Sequence, residues 1–168
     1  MQKVSIRLSE LFASHASGED ISQRGEVFVE GWVRTNRDSG SIGFISLNDG
    51  TCFKSVQVVY DADTLNYEAC RHLLTGAAIG VRAKIVLTPT MKQPFELRAL
   101  EVEVLGEVEN DYPLQKKRHS FEYLREIAYL RPRTNTFTAL YRVRSVLAMG
   151  IHEFFTTFIV VSFSSVRH

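Results

Sequence analysis

Period-two alternation of apolar residues, repeated five times between Glu26 and Leu105 and interrupted by one helical stretch, is the feature that most limits this chain. An apolar residue at every second position marks a half-buried strand. In the first run Val27, Val29 and Val33 alternate with Phe28, Glu30, Trp32 and Arg34, and Gly31 in its middle predicts a bend or bulge. The second, Ile42 to Asn48, sets Ile45 and Leu47 against Phe44, Ser46 and Asn48, and Asp49-Gly50 after it is a strong hairpin signal. The third, Ser55 to Tyr60, sends Val56 and Val58 inward and Gln57 outward. A helical stretch from Thr64 to Leu74 follows, with Leu65, Ala69, Leu73 and Leu74 as its expected buried stripe and Gly76 past its end. The fourth strand, Ile79 to Leu87, is expected to bury Ile79, Val81, Ala83, Ile85 and Leu87 and to turn Arg82 and Lys84 out. In the fifth, Phe95 to Leu105, the alternation changes phase. Leu97 and Ala99 share one parity and Leu100, Val102 and Val104 the other, which reads as a second bulge.

Three strands, a helix and two more strands, with bends that let the sheet curl closed, is the order of an OB-fold. The expected fold is therefore mainly β: a five-stranded OB-fold barrel over residues 1–106 with an N-terminal helix and a helix between strands three and four. The N-terminal helix spans Ile6 to Ala16, packed through Ile6, Leu8, Leu11 and Phe12 and stopped by Gly18. A C-terminal helical segment follows the barrel. Residues 107–133 are expected to be a hinge with a basic run, Lys116-Lys117-Arg118, and a helix from Phe121 to Leu130 that Pro132 breaks. Its stripe is Phe121, Leu124, Ile127 and Ala128. A longer helix begins near Thr134, with Leu140, Val143, Leu147, Ile151 and Phe154 at three- and four-residue spacing, and opens a third region, 134–168. Neither helix can bury its stripe alone, and the domain that would cover them is missing from the sequence.

Charge is more informative in its distribution than in its total. The 168 residues are 45% hydrophobic, enough for one sizeable core, and the net charge is only +1. Yet Glu96 to Asp111 carries six acids and one base, whereas Pro113 to Arg144 carries eight bases and two acids. The sign switches at the hinge. Cys52 and Cys70 lie eighteen apart with no CxxC and no His at ligand spacing. Neither a zinc site nor a redox dithiol is expected, and both cysteines read as buried reduced thiols. The amino terminus has no apolar signal-like stretch, and the longest uncharged run, Phe154 to Val166, is thirteen residues. A spanning helix needs ~20, so an intracellular chain with no membrane partner is the expectation. There is no glycine-rich phosphate loop, nucleophile–base order or metal cluster, so no catalytic residue is assigned.

In so small a barrel the interior is filled by side chains, and a ligand must lie on the outer face or between loops. Phe44 stands among polar neighbours, and Gln57 shares its face on the adjoining strand. Arg34 and Arg37 crowd the end of the first strand, and Arg82 and Lys84 line the fourth. An exposed ring stacks on an unpaired base for ~1–3 kcal/mol, cations meet phosphate, and an amide reads a base edge. The plainer alternative is that a loop covers Phe44 and water solvates the arginines. Candidate phosphate contacts are Arg82, Lys84, Lys116, Lys117 and Arg118.

The stretch VEGWVRTNRDSGSIGFISLNDGTCFKSVQVVYD resembles the first three strands of the anticodon-binding domain of asparaginyl-tRNA synthetases, class II enzymes grouped with the aspartyl and lysyl ones. YPLQKKRHSFEYLREIAYLRPRTNTF is similar to their hinge and first catalytic-domain helix, and RVRSVLAMGIHEFF to their first class II motif helix. The resemblance covers about residues 4–155, and its DG-T-C-F and LRPRT stretches favour the asparagine enzymes over the aspartyl ones. It implies that Phe44 stacks on an anticodon base, that Gln57 reads the central uridine, and that Glu96 helps to read a neighbouring base. Arg34 and Arg37 match the cationic end of strand one. The implied partner is the tRNA for asparagine, the implied compartment the cytoplasm, and the family is homodimeric.

The family joins asparagine to its tRNA with ATP and magnesium. The sequence contains neither its second motif nor its glycine-rich third, so neither that activity nor those cofactors are expected of these 168 residues. After Phe155 the chain reads TTFIVVSFSSVRH. Phe158 to Val161 fall where the family has a strand, and Ser164 where it has a proline. A truncated or frame-altered product, or a paralogue that kept the RNA-binding half, is the reading. Two other functions compete with anticodon binding: a free-standing OB-fold binder of single-stranded nucleic acid, and a protein-interaction module that docks through its basic helical arm.

Overall fold

The computed structural model describes residues 4–158. Helix α1 (Leu8–Ala16) precedes strands β1 (Glu26–Asp38), β2 (Ile42–Asn48) and β3 (Val56–Asp61). Helix α2 (Tyr67–Arg71), strands β4 (Ala78–Leu87) and β5 (Phe95–Gly106), and helices α3 (Phe121–Glu126) and α4 (Asn135–Phe158) follow. The strands close into a barrel in the order β1-β2-β3-β5-β4, with the β3–β5 pair parallel and the others antiparallel. This is the expected OB-fold. Closure leaves no free edge, and Val29, Ile45, Leu47, Val58, Ile79, Val81 and Leu97 fill the interior with no exposure.

Both bulges exist, but the first lies past Gly31. The β1–β2 register shifts between Val33 and Thr35, leaving Arg34 as the extra residue. Val33 opposite Leu47 is inside; beyond the bulge Asn36 opposite Ile45 is inside, while Thr35 and Arg37 face out beside Ser46 and Phe44. Gly31 has a different task. A Cβ there would sit 2.8 Å from the Asn48 carbonyl oxygen, so the strands approach more closely than a side chain permits. In β5 the shift falls where Arg82 pairs Glu101 and Ala83 pairs Ala99, with Leu100 between, which accounts for the phase change.

Asp49-Gly50 does not make a two-residue hairpin, because β3 begins only at Val56. Asp49 serves α1 instead. Its Oδ2 accepts the Leu8 N–H at 2.7 Å, and Thr51 Oγ1 accepts the Ser9 N–H at 3.1 Å. The residue before the helix, Arg7, makes no side-chain cap, so orphan donors of the first turn are satisfied by a loop 41 residues away. Leu8 and Leu11 are thereby sealed on the core, with Ile6 and Phe12 packed beside them.

The helix expected over Thr64 to Leu74 shrinks to the five residues of α2. Leu65 is extended: its N–H donates to the Leu100 carbonyl at 3.0 Å and its carbonyl accepts the Val102 N–H at 3.2 Å. Pairing with β5 outbids local helix propensity. Leu65, Ala69 and Leu74 are therefore exposed, and Thr64, Cys70 and Leu73 are the buried residues of the segment. Leu87, at the strand end, is exposed too, and Cys52 is only half-buried.

The chain divides into two compact units, Met1–Ser120 and Phe121–His168. In the second, α3 gives way at Ala128–Arg133 to a 3₁₀ helix that contains Pro132. Leu124 and Leu130 are buried, whereas Phe121 is exposed, edge-on to Phe137. On α4 the expected stripe, Leu140, Val143, Leu147, Ile151 and Phe154, is more than half exposed. Phe158, expected to open a strand, ends α4, and Ser164 lies outside the described residues. Among the described residues no helix is long and apolar enough to cross a membrane.

Candidate nucleic-acid interface

Strand register arranges the outward side chains in rows. One row runs Arg37, Phe44, Val59, Arg98, Lys84 across all five strands. The next runs Thr35, Ser46, Gln57 on β1 to β3 and Glu96, Val86 on β5 and β4. Successive rows are two residues apart along each strand, about 7 Å. The ring of Phe44 thus stands one row from the amide of Gln57. Gln57 Nε2 donates to Glu96 Oε2 at 3.3 Å, and the Gln57 backbone N–H donates to Gln93 Oε1 at 3.0 Å. Phe44, Gln57 and Glu96 are all half-buried, neither sunk into the core nor fully solvated.

The cations differ in how far they are committed. Arg37 and Lys84 are exposed at opposite ends of the aromatic row. Arg98 is held by Asp61 at 2.9 Å with its side chain 61% exposed. Arg82 lies between Glu26 at 2.9 Å and Glu101 at 3.1 Å, and those hydrogen bonds, Glu26 foremost, push its pKa up. Two carboxylates already share that guanidinium, which weakens its pull on a phosphate. Arg34 is the half-exposed bulge residue of β1, and Lys116, Lys117 and Arg118 are exposed in the segment after β5.

Helix α2 braces the end of this face. Arg71 Nε meets Asp38 Oδ2 at 2.6 Å, and Tyr67 donates its hydroxyl to the Gly40 carbonyl at 2.6 Å. The hydrogen bond from Arg71, and then that from the Gly40 N–H, holds the Asp38 carboxyl below the usual carboxylate range. Inside the barrel, Tyr60 donates to Asn36 Oδ1 at 3.1 Å and Asn36 Nδ2 donates to the Cys70 and Leu73 carbonyls at 2.7 and 3.2 Å. The turn that joins β1 to β2 is thus clamped from both sides, and Arg37 and Phe44 pair next to Asp38 and Gly43, which flank it.

Of the residues singled out from sequence, Arg37, Phe44, Gln57, Glu96 and Lys84 occupy two adjacent rows. Arg34 and Arg82 fall outside those rows. Sequence reasoning missed Gln93 and Arg98. Gln93 carried no signal beyond a place before Pro94, whereas Arg98 was legible as an outward position of β5. The face offers stacking, one fixed amide, a carboxylate and cations, which is equipment for binding; among the described residues no group of three or more His, Cys, Asp or Glu is placed to hold a metal ion.

Residues 27–105 match the tRNA anti-codon family, described as an OB-fold nucleic acid binding domain. The chain is 54% identical over 130 residues to an asparagine–tRNA ligase of Alkaliphilus oremlandii and 57% identical over 131 residues to one of Acetivibrio thermocellus. Each match covers 77% of this chain and 28% of the relative, so the chain spans less than a third of the length of these relatives. In fold it is similar to the asparaginyl-tRNA synthetase of Pyrococcus horikoshii, with a TM-score of 0.76 at 21% identity over 92% of this chain and 36% of that one. It is also similar to the Entamoeba histolytica enzyme, with a TM-score of 0.65 at 17% identity over 79% of this chain and 32% of that one. With that identity laid over the closed barrel and its aromatic-and-amide face, the chain carries a tRNA anticodon-binding OB-fold domain, similar in sequence to part of the asparagine–tRNA ligases.

Proposed function

We propose that the outer rows bind the anticodon loop of the tRNA for asparagine. Phe44 stacks on one unpaired base, Gln57 reads the central uridine, Glu96 and its surroundings meet the neighbouring base, and Arg37 and Lys84 meet phosphates. The observation that carries the reading is the Gln57–Glu96 hydrogen bond one row from Phe44. A carboxylate accepts only, so it selects the Nε2 end of the amide. The remaining Nε2 hydrogen and the Oε1 are left to donate to a uridine carbonyl and accept from its N3–H. Cytidine presents the reverse pattern on those two positions. Turning the amide to suit it would set Oε1 against Glu96.

Binding of this kind takes place in the cytoplasm and asks for neither ATP nor magnesium. Joining asparagine to tRNA, and pairing as a homodimer, belong in this proposal to the longer proteins of the family. The test uses two anticodon stem-loop RNAs that differ only in uridine or cytidine at the central anticodon position. Gln57→Ala is expected to remove most of the preference for uridine, worth ~1–3 kcal/mol for one base. Phe44→Ala is expected to weaken both RNAs by ~1–3 kcal/mol. Full uridine preference in Gln57→Ala would refute the assignment, and equal affinity of the unaltered chain for both RNAs would favour a general single-strand binder.

A further inference from the structure

The hydrogen bonds that reach Gln57 start in the loop between β4 and β5. The Thr88 N–H donates to the Pro94 carbonyl at 2.9 Å, the Thr88 hydroxyl donates to the Gln93 carbonyl at 2.8 Å, and the Met91 N–H donates to the Thr88 carbonyl at 3.0 Å. Residues 88–94 are thereby closed on themselves, with Thr88 as the clasp. The half-buried Gln93 turns its side chain from this loop to β3, where Oε1 accepts the Gln57 N–H at 3.0 Å. That N–H has need of it. The parallel β3–β5 ladder pairs Val58 with Leu97 and Val59 with Arg98, so Gln57 stands one residue before the ladder begins. A half-buried backbone donor left without a partner is costly, and the side-chain oxygen of Gln93 stands in for a strand carbonyl.

We infer that Gln93 is a positioning residue for base selection: by holding the Gln57 backbone it keeps the Gln57 amide against Glu96, and so ties selectivity to the β4–β5 loop. The inference rests on the reading of Gln57 as the uridine-binding group. Its physical basis is tolerance. Recognition groups work within about 0.5 Å and 10–20° of their productive placement, and the Gln57–Glu96 contact is already long at 3.3 Å. A small rotation of the Gln57 backbone would break that contact and free the amide to turn over. With either end of the amide facing the RNA, uridine and cytidine become alike. Gln93 itself touches neither base in this scheme, and its effect is felt through Gln57.

The experiment measures the dissociation constants of the 168-residue chain for the two stem-loop RNAs, in Gln57→Ala, Gln93→Ala, Gln93→Glu and Thr88→Val. Gln93→Ala is expected to cut the uridine-over-cytidine ratio about 3- to 10-fold, the worth of one hydrogen bond, without changing the salt dependence. Amide exchange at Gln57 should quicken in the same variant. Gln93→Glu offers a carboxylate oxygen to the same N–H and should restore the ratio, although its charge weakens both RNAs. Thr88→Val opens the loop clasp and leaves both outer rows in place, so it should lower the ratio by a smaller factor and keeps the test alive should Gln93→Ala fail to fold. An unchanged ratio in Gln93→Ala, or in Thr88→Val if that variant must stand alone, together with a lost ratio in Gln57→Ala, overturns this inference and leaves the reading of Gln57 standing. An unchanged ratio in Gln57→Ala overturns the reading, and the inference with it. Equal weakening of both RNAs by Gln93→Ala with no rescue by glutamate marks a direct RNA contact and overturns the positioning role.

Discussion

Replacing Asp49 by alanine tests whether α1 is held by a cap supplied from the β2–β3 connection. The change removes the acceptor of the Leu8 N–H, a 2.7 Å bond to a carboxylate in a partly buried place. Loss of an N-cap side chain costs about 0.5–2 kcal/mol, and a hydrogen bond to a charged group about 1.5–3 kcal/mol. Thr51 is also anchored on Asp49, through its N–H at 2.9 Å and its hydroxyl at 2.8 Å, so the second cap at Ser9 loosens as well. We expect Asp49→Ala to destabilise the barrel by about 2 kcal/mol, toward the upper end for a cap. Thr51→Val should cost about 1 kcal/mol, one neutral hydrogen bond. Asp49→Asn retains an acceptor oxygen and should cost less than about 1 kcal/mol, chiefly the charge–dipole attraction. The double variant should cost about 2 rather than about 3 kcal/mol, because neighbours that share a network are not additive. Urea unfolding followed by the fluorescence of Trp32, the single tryptophan, reads the barrel itself. A loss below about 0.5 kcal/mol for Asp49→Ala would show that burial of Leu8 and Leu11 holds the helix without the cap, and strict additivity would show that Asp49 and Thr51 do not act as one network.

Three further outcomes are expected. Gly43→Ala drives a Cβ into the ring of the fully buried Tyr60; overpacking should cost about 3 kcal/mol or more, and Tyr60→Leu in the same chain should recover part of the lost melting temperature. Burial raises the Cys70 thiol to about 11, and burial first and then the charge of Asp38 raise the Tyr60 hydroxyl to about 12. Both groups are held neutral, so the stability they contribute is whole below their ordinary values of 9.0 and 10.0 and is lost as pH rises through 11 and 12; urea midpoints across that range should fall, and below it an aromatic disulfide reagent should modify Cys52 well before Cys70. Arg37→Ala and Lys84→Ala should weaken the two stem-loop RNAs equally and each lower the slope of log affinity against log salt by about 0.7–0.9, with a smaller change for Arg82→Ala; a base-dependent effect of Arg37→Ala would remove it from the phosphate contacts.

The parts of this fold that were legible are those whose signal is local. β2 has the predicted bounds because seven residues alternate without a bulge, and the phase slip of Leu100 announced its own irregularity. The 3₁₀ turn at Ile21–Arg24 was missed although Asp20 carries a local signature, accepting from the Ser22 N–H and hydroxyl. What remained hidden was non-local. Nothing near Asp49 says that its carboxylate serves Leu8, and nothing near Leu65 says that it joins β5 rather than a helix. The same holds on the outer face. Phe44 and Gln57 were legible as outward neighbours from parity alone, and Glu96 came from resemblance. The bond that joins Gln57 to Glu96, and the support from Gln93, link residues 39 and 36 positions apart that come together only beside the parallel β3–β5 pairing.

The extra residue in β1 gives this barrel a seam. Before Arg34 the odd-numbered residues of the strand look inward, and after it the even-numbered ones do. Inserting one more residue beside Arg34 would leave sequence identity almost untouched, yet a bulge that absorbs a single residue would then exchange the inner and outer roles of Asn36 and Arg37. The Tyr60 hydroxyl would lose its acceptor, and a guanidinium would be driven toward the core. Chain length at this point is therefore under a tighter constraint than residue identity. A chimaera that borrows the recognition surface of another such barrel should cross over at Arg34, and carry the bulge with whichever half supplies the far end of the strand.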